Sequence, residues 1–295
     1  MDNKLTHYFS ILDNNESAKY LVNKDKLGGK IKAAEEILQS CHFCERRCGV
    51  NLLKGERGFC GVGKPRVASE FIHWGEEREL IPSHTVFFTG CTFSCQFCQN
   101  WDISQYPKHG VYIEPETLAN MIAKRVRQGV KNVNWVGGDP TPDIRYILEV
   151  LNHCNENIPQ VWNSNMYLTQ ESLGLLDGVI DLYLTDFKYG SDSCARRLSR
   201  VDDYWEIITR NHLLISEEDI IIRHLVLPNH IECCTIPILK WIAENLRNKS
   251  VKVNVMDQYH PEWKASRYED INRGLHGDEF ERAYQFAEEL GLSLC

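Results

Sequence analysis

Three cysteines lie close together in the segment GCTFSCQFCQNWDIS, residues 90–104. Cys91, Cys95 and Cys98 have the spacing C-x₃-C-x₂-C. Thiolates select zinc or iron–sulfur clusters, and a structural zinc site usually closes with four ligands. Three thiolates instead fit three irons of a 4Fe–4S cluster and leave the fourth iron open to another ligand. The segment therefore predicts a 4Fe–4S cluster on these three cysteines.

A second group of cysteines precedes the first. Cys41, Cys44, Cys48 and Cys60 are spaced C-x₂-C-x₃-C-x₁₁-C in sequence rich in glycine and arginine, with few apolar residues to form a core. Four thiolates can close a metal site, either a tetrahedral zinc site or a second 4Fe–4S cluster. The pattern predicts a structural or auxiliary metal centre. It does not distinguish a zinc ion from a second 4Fe–4S cluster.

The other five cysteines are scattered along the chain, and we interpret them as ordinary buried or surface thiols. They are Cys154, Cys194, Cys233, Cys234 and Cys295. A disulfide framework is disfavoured, because the chain has 295 residues and its polar start does not resemble a secretion signal.

Composition excludes several classes of function. The net charge of -8 argues against a general nucleic-acid binder. No apolar run approaches the roughly 18 residues that a membrane span needs. We therefore predict a cytoplasmic protein with reduced thiols, with neither nucleic acid nor membrane as a partner.

Short apolar runs rich in β-branched residues alternate with amphipathic stretches beyond Thr85. This alternation predicts an α/β fold with six parallel strands joined by right-handed crossovers, and it fits both a doubly wound sheet and a partial barrel. The predicted strands are 85–88, 132–138, 160–166, 181–187, 220–226 and 251–257.

Polar residues follow these runs at the predicted carboxyl ends, where parallel sheets bind their ligands. A shared site at these ends is the interpretation that we favour over routine loop residues. The residues are Gly137, Gly138, Asp139, Asn163, Asn165, Asp186, Lys188, Arg223, His224 and the stretch 257–260.

The cysteine triplet after a first strand, with the aromatic Phe97 between its last two members, resembles the signature of radical S-adenosylmethionine (SAM) enzymes. The resemblance implies a partial (β/α)₆ TIM-like barrel. It also implies that SAM chelates the open iron through its amino and carboxylate groups. Reductive cleavage of SAM would then give a 5′-deoxyadenosyl radical that abstracts hydrogen from a substrate.

Further segments are similar to the group related to pyruvate formate-lyase activating enzyme, and most of all to its PflX-type members. They are WVGGDPTP, LYLTDFKY, IIRHLVLPN, VMDQYHP and the amino-terminal CHFCERRCGVN with GERGFC. Where glycyl-radical activases carry a DGPGIR-like turn, this chain has ELIPSHTVFF. We predict two domains, a helical arm with a four-cysteine lobe over 1–80 and a radical SAM barrel over 81–295.

The resemblance also implies residues of a SAM pocket. Gly137, Gly138 and Asp139 match a GGE element that meets the SAM ammonium, with Asp in place of Glu. Asp186 and Lys188 match a DxK element near the SAM carboxylate.

Four more residues match positions near the cofactor. Asn163 and Asn165 lie where activases carry DTN, Arg223 matches a basic residue near the nucleoside, and His260 matches a histidine near the sixth strand end. No catalytic residue is assigned beyond the cluster.

The resemblance implies an electron donor such as flavodoxin or ferredoxin and an activase-like reaction on a protein substrate. Modification of a small molecule or peptide is the alternative. A non-catalytic iron–sulfur or zinc scaffold is the alternative from another class, and a scaffold would have no need of SAM-pocket residues at successive strand ends.

Overall fold

The computed structural model describes residues 4–75 and 77–295. Seven strands form one sheet in which their order follows the chain. β1 is antiparallel to β2, and the pairs β2–β3, β3–β4 and β6–β7 are parallel. The strands are β1 Val67–His73, β2 Ser83–Phe88, β3 Asn132–Gly137, β4 Gln160–Ser164, β5 Leu182–Asp186, β6 Asp219–Leu225 and β7 Val251–Met256.

Helices connect the strands. Before β1 come α1 Thr6–Leu12, α2 Lys19–Val22 and α3 Lys24–Gln39. The remaining helices are α4 Trp101–Ser104, α5 Pro115–Val126, α6 Ile144–His153, α7 Gln170–Leu176, α8 Asp192–Ser199, α9 Tyr204–Leu214, α10 Ile236–Asn245 and α11 Gly277–Glu289. Short 3₁₀ turns occur at Leu52–Lys54, Thr141–Asp143 and Ala265–Arg267, and a π-helical turn spans Ile231–Thr235. No helix in the described part of the chain is long and apolar enough to cross a membrane.

The six predicted parallel strands are all present as β2 to β7, with ends that differ by up to two residues. The sequence analysis missed β1. In this strand only Val67 is buried, so it lacks the continuous apolar run that marks the fully buried strands. The sheet therefore has seven strands, six of them in the predicted parallel series.

The described chain divides into two compact units. The amino unit contains Thr6–Thr92 and Asp102–Tyr183, and the carboxy unit contains Phe93–Trp101 and Leu184–Cys295. The proposed division into domains 1–80 and 81–295 stays a prediction.

Each unit has its own apolar core. In the amino unit the buried rings of Phe88 and Trp135 stack with centroids 6.2 Å apart. In the carboxy unit Phe187 stacks on His212 at 5.2 Å. Burial lowers the pKa of His212 to about 4, so the ring is neutral and belongs to the core.

The turn after β3 requires glycine. Gly137 has φ +135° and is the register partner of Phe88, and a Cβ there would lie 2.1 Å from the Phe88 carbonyl oxygen. A Cβ on Gly138 would lie 1.9 Å from the Gly90 carbonyl oxygen. The turn therefore packs directly on the backbone that leads into Cys91.

Gly137→Ala is expected to destabilise the protein by at least about 2 kcal/mol, because the new methyl group meets backbone atoms that cannot yield and the backbone angle is unfavourable for alanine. Chemical denaturation measures the change. Gly174→Ala is the matched control, since Gly174 lies within α7 with open space around its Cβ position. That control should be neutral or slightly stabilising. Equal stability of the two variants would contradict the role given to the turn.

Candidate functional site

The predicted cluster cysteines fall in both compact units, Cys91 in the amino unit and Cys95 and Cys98 in the carboxy unit. In the amino unit, Asn165 organises the surroundings of Cys91. Its side-chain amide donates to the Cys91 Sγ at 3.8 Å and to the Thr92 Oγ1 at 2.8 Å. Cys91 and Asn165 are both buried. The thiol therefore has an oriented N–H donor of the kind that stabilises a metal-bound thiolate.

Asp139 joins the ends of β3 and β4. Its Oδ1 accepts from the Thr141 N–H and its Oδ2 accepts from the Asn165 N–H, each at 3.0 Å. The side chain is 1% exposed. The predicted SAM ligand thus also holds the two strand-end loops in place, a structural duty that its position in the sequence did not reveal.

Asp143 was missed by the sequence analysis. Its carboxyl group is buried, and neither oxygen has a hydrogen-bond partner in the described structure. Burial, and then the charge of Asp139, raise the pKa of Asp143 well above its usual range. A buried carboxyl group without a partner is unusual and suits a ligand that brings its own donors. The signal was a second acid four residues after Asp139 in GGDPTPD.

In the carboxy unit, helix α8 supports Cys95. The Ser199 hydroxyl donates to the Cys95 Sγ at 2.9 Å. The Ser94 and Gln96 N–H groups donate to the Ser199 and Leu198 carbonyls. The last turn of α8 therefore fixes the loop that carries the second predicted cluster ligand.

Lys188 and Asp186 lie near the same cysteines. The Lys188 Nζ is 2.7 Å from the Asp186 Oδ2. Burial works to lower the pKa of Lys188, but Asp186 and then Cys95 outweigh it and raise the pKa. Burial raises the pKa of Cys95 to about 11, and Lys188 opposes that rise. The ammonium thus offsets the negative charge of the Asp186 carboxylate and would favour the thiolate form of Cys95.

These surroundings fit the predicted cluster. A 4Fe–4S cluster on three thiolates carries negative charge, and the described residues supply an amide donor to Cys91, a hydroxyl donor to Cys95 and a lysine ammonium beside Cys95 and Cys98. Hydrogen bonds to the sulfurs also tune the reduction potential of such clusters.

The remaining predicted residues have different surroundings. Asn163 is a buried residue of β4. Arg223 is half-buried in β6, in register with Asn254 of β7. The His260 side chain is 56% exposed, with its Nδ1 3.4 Å from a Glu262 carboxylate oxygen. The binding roles proposed for all three stay predictions.

The four amino-terminal cysteines are electrostatically linked in the amino unit. Burial, with smaller contributions from the neighbouring Cys41 and Cys48, raises the pKa of Cys60 to about 12. Burial also raises the pKa of Cys44 well above its usual range, and the other three thiols add to that rise. Such thiols remain protonated unless a metal ion or other cation replaces the proton.

The backbone of Gly58 and Phe59 lies close to the Cys48 sulfur. The Phe59 N–H donates to the Cys48 Sγ at 3.5 Å. A Cβ on Gly58 would lie 2.9 Å from that sulfur. The glycine in GERGFC therefore lets the backbone approach a predicted metal ligand closely.

The lobe is bonded to the loops that carry the candidate site. Arg46 Nε donates to the Thr92 carbonyl at 2.9 Å, next to Cys91, and its guanidinium lies 3.6 Å from the centre of the Phe59 ring. The Glu45 N–H donates to the Tyr167 carbonyl. The structure thus connects the first cysteine group to the loop of Cys91 through one arginine.

The structure also gathers three residues that the sequence analysis left apart. Cys194, His230 and Cys233 present ligand atoms that all lie within 4.8 Å of one another. From the sequence alone, Cys194 and Cys233 read as ordinary thiols. They are 39 residues apart, so only the fold brings them together.

Sequence comparisons match this chain to a family model and to relatives from Methanocaldococcus jannaschii. The family described as the radical SAM superfamily matches residues 85–242. Uncharacterized protein MJ0674 of Methanocaldococcus jannaschii is 53% identical over 92% of this chain and 81% of its own length. Uncharacterized protein MJ0808 of the same organism is 24% identical over 77% of this chain and 72% of its own length.

Among solved structures, SuiB of Streptococcus suis bound to S-adenosylmethionine matches with a TM-score of 0.52 and 15% identity. The match covers 70% of this chain and 47% of the SuiB chain, so this chain spans about half of that protein's length. A likeness at this identity concerns the fold, and it confirms the predicted α/β partial-barrel class.

The family match contains all three cysteines of the triplet and extends over more than half of the chain. Members of the matched family use a 4Fe–4S cluster and SAM. This chain belongs to the radical SAM superfamily.

Proposed function

We propose that this chain is an enzyme that reductively cleaves SAM at a cluster held by Cys91, Cys95 and Cys98, and then abstracts hydrogen from a substrate. The observation that carries the proposal is that hydrogen-bond donors contact the sulfurs of Cys91 and Cys95, within a segment that matches the radical SAM family. When bound, the cluster supplies the electron that breaks the SAM sulfonium bond. A non-catalytic scaffold would not require such donors together with ligand-binding groups.

We assign the SAM carboxylate to Lys188. The ammonium lies beside Cys95 and Cys98 and is held by Asp186, so it is oriented before a ligand arrives. Charge-assisted hydrogen bonds to a carboxylate are worth roughly 1.5–3 kcal/mol. Lys188 would therefore position SAM rather than transfer a proton.

The SAM ammonium is assigned to the acidic turn after β3. Asp139 accepts two backbone N–H groups, and Asp143 is a buried carboxyl group whose oxygens have no hydrogen-bond partner in the described structure. A cationic ligand group near these two acids would favour their ionised forms. Asp143 thus joins Asp139 as a proposed binding residue.

We further propose a protein substrate and an activase-like reaction, which the resemblance to pyruvate formate-lyase activating enzyme supports. A flavodoxin or ferredoxin would then deliver the electron. A peptide or small molecule is the alternative substrate class.

The test is anaerobic incubation of reconstituted protein with SAM and a low-potential reductant. We expect 5′-deoxyadenosine to form and flavodoxin or ferredoxin to replace the chemical reductant. Deuterium from a labelled substrate should appear in 5′-deoxyadenosine, so labelled proteins, peptides and small molecules can be compared. A cluster-loaded protein that yields no 5′-deoxyadenosine would support the scaffold alternative instead.

Lys188→Met is expected to weaken SAM binding by about tenfold or more, because it removes the positive charge and keeps an apolar chain of similar length. Equilibrium dialysis of the cluster-loaded protein measures the affinity. Lys124→Met, on the exposed face of α5, is the matched control and should bind SAM as the wild type does. Wild-type affinity in Lys188→Met would reject the assignment.

A further inference from the structure

We propose that Cys194, His230 and Cys233 bind a thiophilic divalent metal ion of the zinc class, at a site separate from both cysteine groups noted in the sequence. All three residues belong to the carboxy unit. Cys194 lies in the first turn of α8, His230 directly precedes the π-helical turn, and Cys233 lies within that turn.

The distances between the donor atoms suit one tetrahedral ion. Sulfurs bound at about 2.3 Å to one tetrahedral zinc ion lie about 3.8 Å apart. The Cys194 and Cys233 Sγ atoms are 3.8 Å apart, far longer than a disulfide bond. A third thiol, that of Cys234, lies 3.9 Å from the Cys233 Sγ. The sulfurs of Cys194, Cys233 and Cys234 therefore have the spacing of thiolates in a metal site.

The histidine is oriented as metal-binding histidines are. Its Nδ1 lies 2.8 Å from the Pro228 carbonyl oxygen, which can only accept a hydrogen bond, so Nδ1 carries the proton. Nε2 then carries the lone pair and accepts from Arg197 at 3.2 Å. Arg197 also donates to Asp270 at 3.0 Å, so its guanidinium keeps a partner when an ion takes Nε2.

The backbone segments around Cys194, His230 and Cys233 pack closely against one another. The π-helical turn that carries Cys233 is a rare element, and such turns occur frequently at functional sites. A Cβ on Gly190 would lie 2.7 Å from the Cys233 carbonyl oxygen. Cys194 is 7% exposed and His230 is 3% exposed. An ion held there would be shielded from water on the side of Cys194 and His230, whereas the more exposed Cys233 would keep one side accessible.

Helix α8 links this site to the candidate cluster. Cys194 lies in its first turn, and Ser199, which donates to the Cys95 Sγ, is its last residue. A metal ion at the first turn would anchor the helix that orients this donor. The inferred role is structural, in support of the loop that carries Cys95.

The first test compares zinc content in protein purified anaerobically with its iron intact. We expect Cys194→Ser and Cys233→Ser each to lose about one zinc per chain relative to the wild type, with iron retained. Cys154→Ser and Cys295→Ser remove thiols elsewhere and should retain wild-type zinc. Any zinc held by the amino-terminal cysteines contributes equally to the wild type and the variants, so it cancels when the zinc contents are subtracted. Wild-type zinc content in an iron-loaded Cys194→Ser or Cys233→Ser variant would overturn the proposal.

The second test uses the wild-type protein and so does not depend on the folding of a variant. Thiol alkylation is mapped by mass spectrometry with zinc present and after mild chelation. We expect chelation to raise alkylation of Cys233 by about tenfold or more, because a bound thiolate is protected, and to leave Cys295 unchanged. Equal alkylation of Cys233 in both states, or a disulfide between Cys194 and Cys233, would reject the metal site.

Discussion

The triple variant Cys91→Ala, Cys95→Ala, Cys98→Ala is expected to lose about four irons per chain and to form 5′-deoxyadenosine at less than about one hundredth of the wild-type rate. The physical reason is direct ligation. Loss of residues that only support metal ligands costs about 10–100-fold, and loss of the ligands themselves should cost more. Iron analysis and quantification of 5′-deoxyadenosine under anaerobic conditions measure both effects.

The matched control is Cys295→Ala, which removes an exposed thiol at the end of the chain. It should keep wild-type iron content and SAM cleavage. A triple variant that cleaves SAM at the wild-type rate would show that the electron does not come from a cluster on these cysteines. Retained iron with lost cleavage would place the cluster elsewhere and also contradict the assignment.

The second large effect is expected in the amino-terminal lobe, residues 41–63. Cys44→Ala should release the lobe's metal and loosen the lobe, because few apolar residues remain to stabilise it. The core around Phe88 and Trp135 lies outside the lobe, so iron on the cysteine triplet should be retained. Metal analysis and limited proteolysis measure the two responses in the same preparation.

Cys154→Ala is the control, since it also removes a buried thiol from the amino unit. It should leave the metal content and the cleavage pattern of the lobe unchanged. Wild-type metal and proteolysis in Cys44→Ala would show that this thiol is not a ligand. Loss of both metal centres would mean that the lobe and the triplet loop fold together, and the Arg46–Thr92 hydrogen bond would be the contact to examine first.

Strands β2 to β6 could be predicted because most of their residues are buried on both faces, and β7 could be predicted from its alternating pattern. β6, for example, is buried at its first four positions. β1 was not predicted because it is antiparallel to its neighbour and most of its residues are only partly buried. A buried strand is therefore easier to predict from local sequence than a strand that is partly exposed.

Sequence alone could pair residues of the candidate site that are close in the chain, such as Asp186 and Lys188, and the cluster role of the cysteine triplet stays a prediction. It was not predictable where tertiary structure gives a residue its role. Nothing in the sequence indicates that backbone N–H groups bind both oxygens of Asp139. Cys194 and His230 likewise meet only in the folded chain.

The turn after β3 has a consequence for ligand selectivity. Glycine-rich turns at strand ends often bind phosphate through unpaired backbone N–H groups. Here the Gly138 N–H donates to the Phe88 carbonyl and the Asp139 N–H to the Gly90 carbonyl. The Thr141 N–H is likewise engaged, by the Asp139 carboxylate. Because these donors are used internally and the Asp139 carboxylate lies beside them, the turn disfavours anions and suits ligand groups that only donate hydrogen bonds. It should therefore discriminate against nucleoside phosphates and in favour of an adenosyl ligand that carries an ammonium.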